Sequence, residues 1–195
     1  MPIATLTNED SKRTAILDAA LAVFAQSGVD GTAVPHIAAA AGVGVGTLYR
    51  YFTNKEQLVN ELFRETKRRL RDRLAEGIDL GAPPRKLFDE FWARLVAFAQ
   101  NEPAAFQFLE LQDHLRYLDA ASRSVELEVL APIWLMCTEF QKKKVFDRAL
   151  RVEIAMALVW GAFVGVFKAE RNGYFNVSNA ELARVRDACW RALAV

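Results

Sequence analysis

GVGVGTLYRYF, residues 42–52, sets glycines at positions 42, 44 and 46 directly ahead of a threonine and two tyrosines. Such a stretch could cradle a phosphate or join two helices. A dinucleotide fingerprint needs G-x-G-x-x-G between a strand and a helix, but Gly44 and Gly46 are followed at the third place by Tyr49. A P-loop needs Gly-Lys-Ser/Thr, and Gly46-Thr47-Leu48 has no lysine; the preceding Ala38-Ala39-Ala40-Ala41 is helix-forming rather than strand-like. A helix-turn-helix accounts for each glycine separately. Gly42 takes the left-handed conformation that closes one helix, Gly44 begins the next, and Gly46 removes a side chain from its exposed face. On that second rod Val45, Leu48 and Phe52 fall at three- and four-residue spacing and are expected to lean inward. Gly46, Thr47, Tyr49 and Arg50 then face outward, where a DNA groove would meet them.

Working outward, glycine and proline divide the chain into helix-length pieces with no succession of alternating strands, which predicts an all-α fold. Ile16, Ala19, Ala20, Val23 and Phe24 mark one buried face of a first helix from about Asn8 to Ser27, stopped by Gly28. Thr32 is the expected cap of a short second helix through Ala41, with Pro35 in its first turn. The third helix carries Val45 to Phe52, and a fourth runs from about Asn54 to Gly77. Past the Gly81-Ala82-Pro83-Pro84 break, further helices are expected at 84–101, 103–117, 120–144, 147–172 and 178–193. The domain division expected is a DNA-binding unit at 1–58, linked through the fourth helix, and a second domain at 59–195.

Composition agrees with a soluble globular chain: 195 residues, 52% apolar, 25% charged, net charge +1. The longest uncharged apolar run, Ile154 to Phe167, falls short of the roughly 18–20 residues that span a bilayer and reads as a buried helix. The start, MPIATLTNEDSKR, lacks the basic and apolar regions of a secretory leader, so a cytoplasmic location is expected. Cys137 and Cys189 lie far apart with no ligand-spaced neighbours, and read as buried thiols rather than as a disulfide or metal site. No cofactor motif is present.

The residues Ala15-Ile16-Leu17-Asp18-Ala19-Ala20, Phe24, Gly28, Ile37-Ala38 through Ala41-Gly42-Val43, Gly46-Thr47-Leu48-Tyr49-Arg50-Tyr51-Phe52 and Asn54-Lys55-Glu56 resemble the N-terminal domain of TetR-type transcriptional regulators. The resemblance covers about the first 60 residues. It implies an all-helical homodimer with an N-terminal three-helix DNA-binding unit. It also implies a variable C-terminal bundle that binds a small molecule and then releases a palindromic operator. Position by position, it puts Val45, Gly46 and Thr47 near base edges, and Tyr49, Tyr51 and Lys55 on phosphates; beside that carry-over, Arg50 and His36 can assist and Thr32 is a further DNA-binding candidate. The chemistry fits, because hydroxyls and ammonium groups donate to phosphate oxygens while a threonine can offer both a hydroxyl and a methyl to bases.

Residues 1–58 hold Lys12, Arg13, Arg50 and Lys55 against Glu9, Asp10, Asp18, Asp30 and Glu56, so the unit is not basic. A shallow salt dependence of DNA binding is the expectation, at roughly −0.9 in log-log slope per neutralised phosphate. The run Arg64, Lys67, Arg68, Arg69, Arg71 and Arg73 is offset by Glu61, Glu65, Asp72 and Glu76 and reads as a solvated helix face.

All four tryptophans and ten of thirteen phenylalanines lie beyond residue 80. They read either as plain core or as the walls of an apolar effector cavity, with Phe91, Trp92, Phe98, Phe106, Gln107, His114, Trp134 and Thr138 as candidate contacts. An uncharged or weakly polar aromatic or lipophilic effector is expected. Ala157, Gly161 and Gly165, with Ile154 and Leu158, form a small-residue row suited either to a subunit interface or to packing within the chain. Leu182, Val185 and Cys189 on the last helix are the expected other half of a two-fold four-helix contact. No paired carboxylates, Ser-His-Asp set or metal cluster supports an enzyme, so the reading is a ligand-responsive repressor that catalyses no reaction.

Overall fold

The computed structural model describes residues 8–111 and 114–195, the side chains of Asn8 and Leu115 apart. The leader reading at residues 1–7, and Gln112 and Asp113 of the expected 103–117 helix, lie outside these. The helices are α1 (Asn8–Ser27), α2 (Val34–Ala40), α3 (Val45–Tyr51), α4 (Lys55–Ala75), α5 (Pro84–Asn101), α6 (Pro103–Glu110), α7 (Ala120–Lys142), α8 (Val152–Arg171) and α9 (Asn179–Leu193). Among the described residues there is no strand, only an isolated antiparallel bridge between Phe146 and Ala194. The chain forms two compact units, and α4 and α7 each contribute to both.

The first unit takes the residues up to Lys67 and Glu102–Val125. Its core is built from the predicted face of α1 (Ile16, Ala20 and Phe24) with Ile37, Leu48, Phe52, Leu58 and Phe63, all fully or almost fully buried. Phe24 stacks on Phe108 of α6 at 6.0 Å, and Phe108 stacks on His114 at 5.2 Å. One buried polar group organises the start of α7. The Asn60 Nδ2 donates to the carbonyls of Glu56 (3.0 Å) and Tyr117 (2.7 Å), while its Oδ1 accepts from the Asp119 N–H (2.8 Å) and the Ser122 hydroxyl (2.7 Å). Both ends of the amide are filled, as a buried polar group requires. Asp119 in turn caps α7 by accepting from the Ser122 N–H at 2.7 Å, and Arg64 pairs with it at 3.1 Å.

The second unit takes Arg68–Asn101 and Glu126–Val195. α5 buries Leu87, Phe88, Phe91, Trp92, Leu95 and Phe98; α8 buries Val152, Ala155, Val159 and Phe163; α9 buries Leu182, Cys189 and Leu193. Arg85 and Arg186 bridge Asp89 of α5 and Asp187 of α9 in one ionic cluster. Arg94 closes the end of α4 by donating to the Leu74 carbonyl at 2.7 Å.

Three expected elements differ. Helix two begins at Val34 behind Ala33, which takes the N-cap position with no side-chain cap, while Thr32 lies one residue too early and its hydroxyl donates back to the Gly28 carbonyl (2.7 Å). The helix expected over 103–117 stops at Glu110 and resumes only as a 3₁₀ turn at Leu115–Tyr117. The helix expected from 147 starts at Val152, since the buried Phe146 ring packs against Phe88, Phe140 and Trp190 and draws its backbone beside the C-terminus. There the Asp147 N–H donates to the Leu193 carbonyl (2.8 Å) and the Val195 N–H to the Val145 carbonyl (3.2 Å).

Candidate nucleic-acid interface

The turn between α2 and α3 has the geometry its glycines predict. Gly42 stands at φ 66°, its N–H donating to the Ala39 carbonyl (3.1 Å) while the Val43 N–H reaches Ala38 (3.0 Å), a paired closure that needs a left-handed residue. Gly44 then opens α3, its carbonyl accepting from the Thr47 and Leu48 N–H groups at 2.9 and 3.1 Å. Leu48 and Phe52 pin the short helix to the core. Gly46, Tyr49 and Arg50 are exposed and Thr47 is half-exposed. Val45 does not lean inward as its spacing suggested: it is 38% exposed and joins the outward set, because a first-turn residue lies beyond the reach of the core. His36 is exposed on α2, and Tyr51 is half-buried at the end of α3.

α4 enters this face rigidly. Its first turn is capped by Asn54, whose Oδ1 accepts from the Gln57 N–H at 2.7 Å; the Gln57 amide oxygen accepts from both the Thr53 N–H (2.7 Å) and the Thr53 hydroxyl (2.9 Å). The next residue, Lys55, sends its ammonium to the Thr32 carbonyl at 2.7 Å. An ammonium has three donors, so two stay available to a phosphate while the third holds α4 to the α1–α2 turn. Thr32 itself is 3% exposed with its hydroxyl committed to Gly28. It serves this face through its backbone and is withdrawn as a side-chain DNA contact.

Asp30 of the same α1–α2 turn had no assigned role. It accepts hydrogen bonds from the Tyr117 hydroxyl and pairs with the Arg116 guanidinium. The Tyr117 hydroxyl, then Arg116, hold its carboxyl below the ordinary value, and Lys55 acts in the same direction. No sequence spacing could have announced this cluster, since its members stand 86 and 87 positions apart.

The aromatic candidates divide between the units. Phe106, Gln107 and His114 belong to the first, where Phe106 and His114 are buried and His114 lies against Phe63 and Phe108. Phe91, Trp92 and Phe98 are core rings of the second, Trp92 standing edge-on to Phe163 at 5.6 Å. The Trp92 indole N–H is buried with no hydrogen-bond acceptor. Trp134 does not join them. It is 41% exposed on the outer side of α7, and the Thr138 hydroxyl bonds back to the Trp134 carbonyl at 2.9 Å.

The small-residue row on α8 is open. A Cβ added at Gly161 or Gly165 would meet nothing within 4 Å, and Ile154, Ala157 and Leu158 are exposed beside them. α8 is long and apolar enough to cross a bilayer by length and composition. It is not the buried helix its sequence suggested: one face packs through Val152, Ala155, Val159 and Phe163, and the other is bare. On α9 the expected partner residues fare differently. Leu182 and Cys189 are turned into the core of their own unit, and Val185 is half-exposed. Leu182 and Cys189 are therefore withdrawn from the interface, having packed against their own chain.

Comparison with known proteins agrees with this architecture. Residues 16–62 match the profile of bacterial regulatory proteins of the tetR family, and residues 63–195 match a tetracyclin repressor-like C-terminal domain. The transcriptional repressor KstR2 of Rhodococcus jostii is 35% identical over 167 residues, covering 82% of this chain and 78% of that protein. A TetR family regulator from Marinobacter aquaeolei shares the fold with a TM-score of 0.82 at 22% identity, over 95% of this chain and 97% of that one. The fatty acid degradation regulator FadR of Bacillus halodurans superposes with a TM-score of 0.76 at 24% identity, over 92% and 94% of the two chains. The chain belongs to the TetR family of bacterial regulatory proteins, and it is a ligand-responsive, DNA-binding transcriptional repressor.

Proposed function

We propose that this repressor acts as a homodimer on a palindromic operator, each subunit entering the major groove with α3 and releasing DNA when a lipophilic effector binds. The observation that carries the DNA reading is the outward set on a core-pinned α3, namely Val45, Gly46, Thr47, Tyr49 and Arg50, with Lys55 fixed beside it at the start of α4. Base edges meet Val45, Gly46 and Thr47, with Arg50 and His36 assisting, while Tyr49, Tyr51 and Lys55 hold phosphates. It turns over no substrate.

The subunit seam runs along the bare face of α8, Ile154, Ala157, Leu158, Gly161 and Gly165, assisted by Val185 of α9. The outer side of α7 extends it, since Leu127, Leu130, Trp134 and Leu135 are also exposed. Gly and Ala remove little area from water; the four large α7 side chains help approach the roughly 800 Å² per partner of a standard interface.

The effector is apolar with one hydrogen-bond acceptor. Support comes from the ring-rich core around Phe91, Trp92 and Phe98 and from the unanswered Trp92 N–H, a group that costs free energy until something accepts from it. Thermal-shift screening of hydrophobic carbonyl compounds, followed by release of promoter DNA, is the test. Stabilisation by small, highly charged metabolites alone would refute the effector class. Genome-wide mapping of bound DNA tests the regulator itself.

A further inference from the structure

Lys55 approaches its phosphate in the company of a carboxylate. Asp30 stands on the turn that receives the Lys55 ammonium, exposed and near enough for the two charges to act on each other. Left alone, that negative charge would weaken a phosphate contact. Four other acids of this unit have cationic partners: Glu61 and Glu65 with Arg13, Glu110 with Lys67, Asp119 with Arg64. Asp30 is answered by Arg116, and the guanidinium is steadied over the Tyr117 ring at 5.1 Å while Tyr117 bonds to the same carboxylate. Both residues come from the 3₁₀ turn after α6, beyond the 16–62 segment that matches the family's DNA-binding profile.

We propose that Arg116 is a positioning residue for operator affinity that acts through Asp30: it cancels the carboxylate beside Lys55, so that a DNA phosphate meets an uncompensated ammonium. This rests on the reading of Lys55 as a phosphate contact. The sign of the effect is distinctive, because a mechanical tie would need both partners whereas a mask is needed only while the carboxylate is present. An uncancelled carboxylate on the order of 7 Å from a phosphate, in near-aqueous surroundings, weakens binding roughly threefold per half-site and on the order of tenfold for a two-fold operator.

The test is fluorescence anisotropy of the full chain on a duplex from upstream of its own gene, with melting temperatures measured in parallel. Arg116→Ala should bind about tenfold more weakly, the deficit shrinking as salt shortens the Debye length, and Arg116→Lys should recover most of it. Asp30→Ala should bind as tightly as the unaltered protein or more so, and the double variant should return to wild-type affinity. The proposal is overturned if Asp30→Ala weakens binding as Arg116→Ala does, if the double variant is not rescued, or if Arg116→Ala changes nothing. Should Lys55→Ala leave affinity unchanged, the Lys55 reading itself fails; if Lys55→Ala weakens binding while Arg116→Ala is silent, only the masking does.

Discussion

A leucine at Gly161 pits the chain's own stability against its association. Within one chain the position is open, with no atom within 4 Å of an added Cβ, and it lies in the interior of α8. Replacing a mid-helix glycine by leucine therefore relieves a propensity penalty of about 0.8–1 kcal/mol, and the isolated fold should gain. In a two-fold seam the residue occurs twice and must fit a space that Ala157, Gly161 and Gly165 keep narrow. Overpacking costs about 1–3 kcal/mol per site, or roughly 2–6 kcal/mol for the pair, which weakens the dimer some 30-fold to more than ten-thousand-fold at tenfold per 1.4 kcal/mol. Sedimentation velocity across a concentration series reads the second effect, and circular-dichroism melts of the dissociated chain read the first. Operator binding should fall with the dimer. A Gly161→Leu protein that associates as tightly as the unaltered one would refute the placement of the seam on α8. Leu182→Ala provides the contrast: at 1% exposure it should cost about 2–5 kcal/mol of folding stability through a cavity, wherever the partner sits.

Lys55→Ala should leave the melting temperature within a few degrees while flattening the salt dependence of operator binding by about 1.8 log-log units for two subunits, as anisotropy titrations across salt would read. Asn60→Leu should cost on the order of 3 kcal/mol in urea unfolding, because the Asp119 N–H and the Tyr117 carbonyl lose their partner and the Ser122 hydroxyl keeps only a long bond to the Asn60 carbonyl (3.4 Å) as acceptor; an unchanged midpoint would mean that the groups find others. Asp119→Ala should cost about 1 kcal/mol at neutral pH as a lost cap. The Ser122 N–H, above all, lowers the Asp119 carboxyl from its ordinary value, so this contribution is complete above the unfolded value near about 3.9 and vanishes as pH falls through the folded one. Urea midpoints of the two proteins should accordingly converge in acid.

The helix-turn-helix was legible because it is local. Eleven consecutive residues hold both the left-handed closure at Gly42 and the core anchors Leu48 and Phe52, so period and turn chemistry suffice. The last helix was legible for the same reason: Ser178 and Glu181 form a reciprocal capping box that fixes its start. What distance in sequence conceals is the use made of an apolar stripe. Leu182, Cys189 and Leu193 recur at a spacing that serves a core and an interface equally, and here all three face their own core. Trp134 reads as a wall residue by its spacing, yet it stands 41% exposed on α7. The loop at 143–151 escapes a helical reading because Phe146 gains more from three neighbouring rings than its backbone would from another turn.

The scarcity of positive charge in the DNA-binding unit bears on how this repressor is switched. Four cations face five acids over residues 1–58, and Arg13 is already occupied with Glu61 and Glu65. Such a unit gains little from the sequence-independent attraction that holds strongly basic proteins to any duplex, so in the proposed dimer affinity would rest on a few aimed contacts made twice. Contacts of that kind are lost together when two recognition helices leave register. A thousandfold loss of operator affinity requires about 4 kcal/mol of differential effector binding, and a dimer with two effector sites can supply it at about 2 kcal/mol each. One apolar molecule of the proposed class, with a single acceptor for the Trp92 N–H, would be sufficient for that. A strongly basic headpiece would instead keep a nonspecific grip on DNA after the register was lost, and the same effector would move it along the duplex without releasing it.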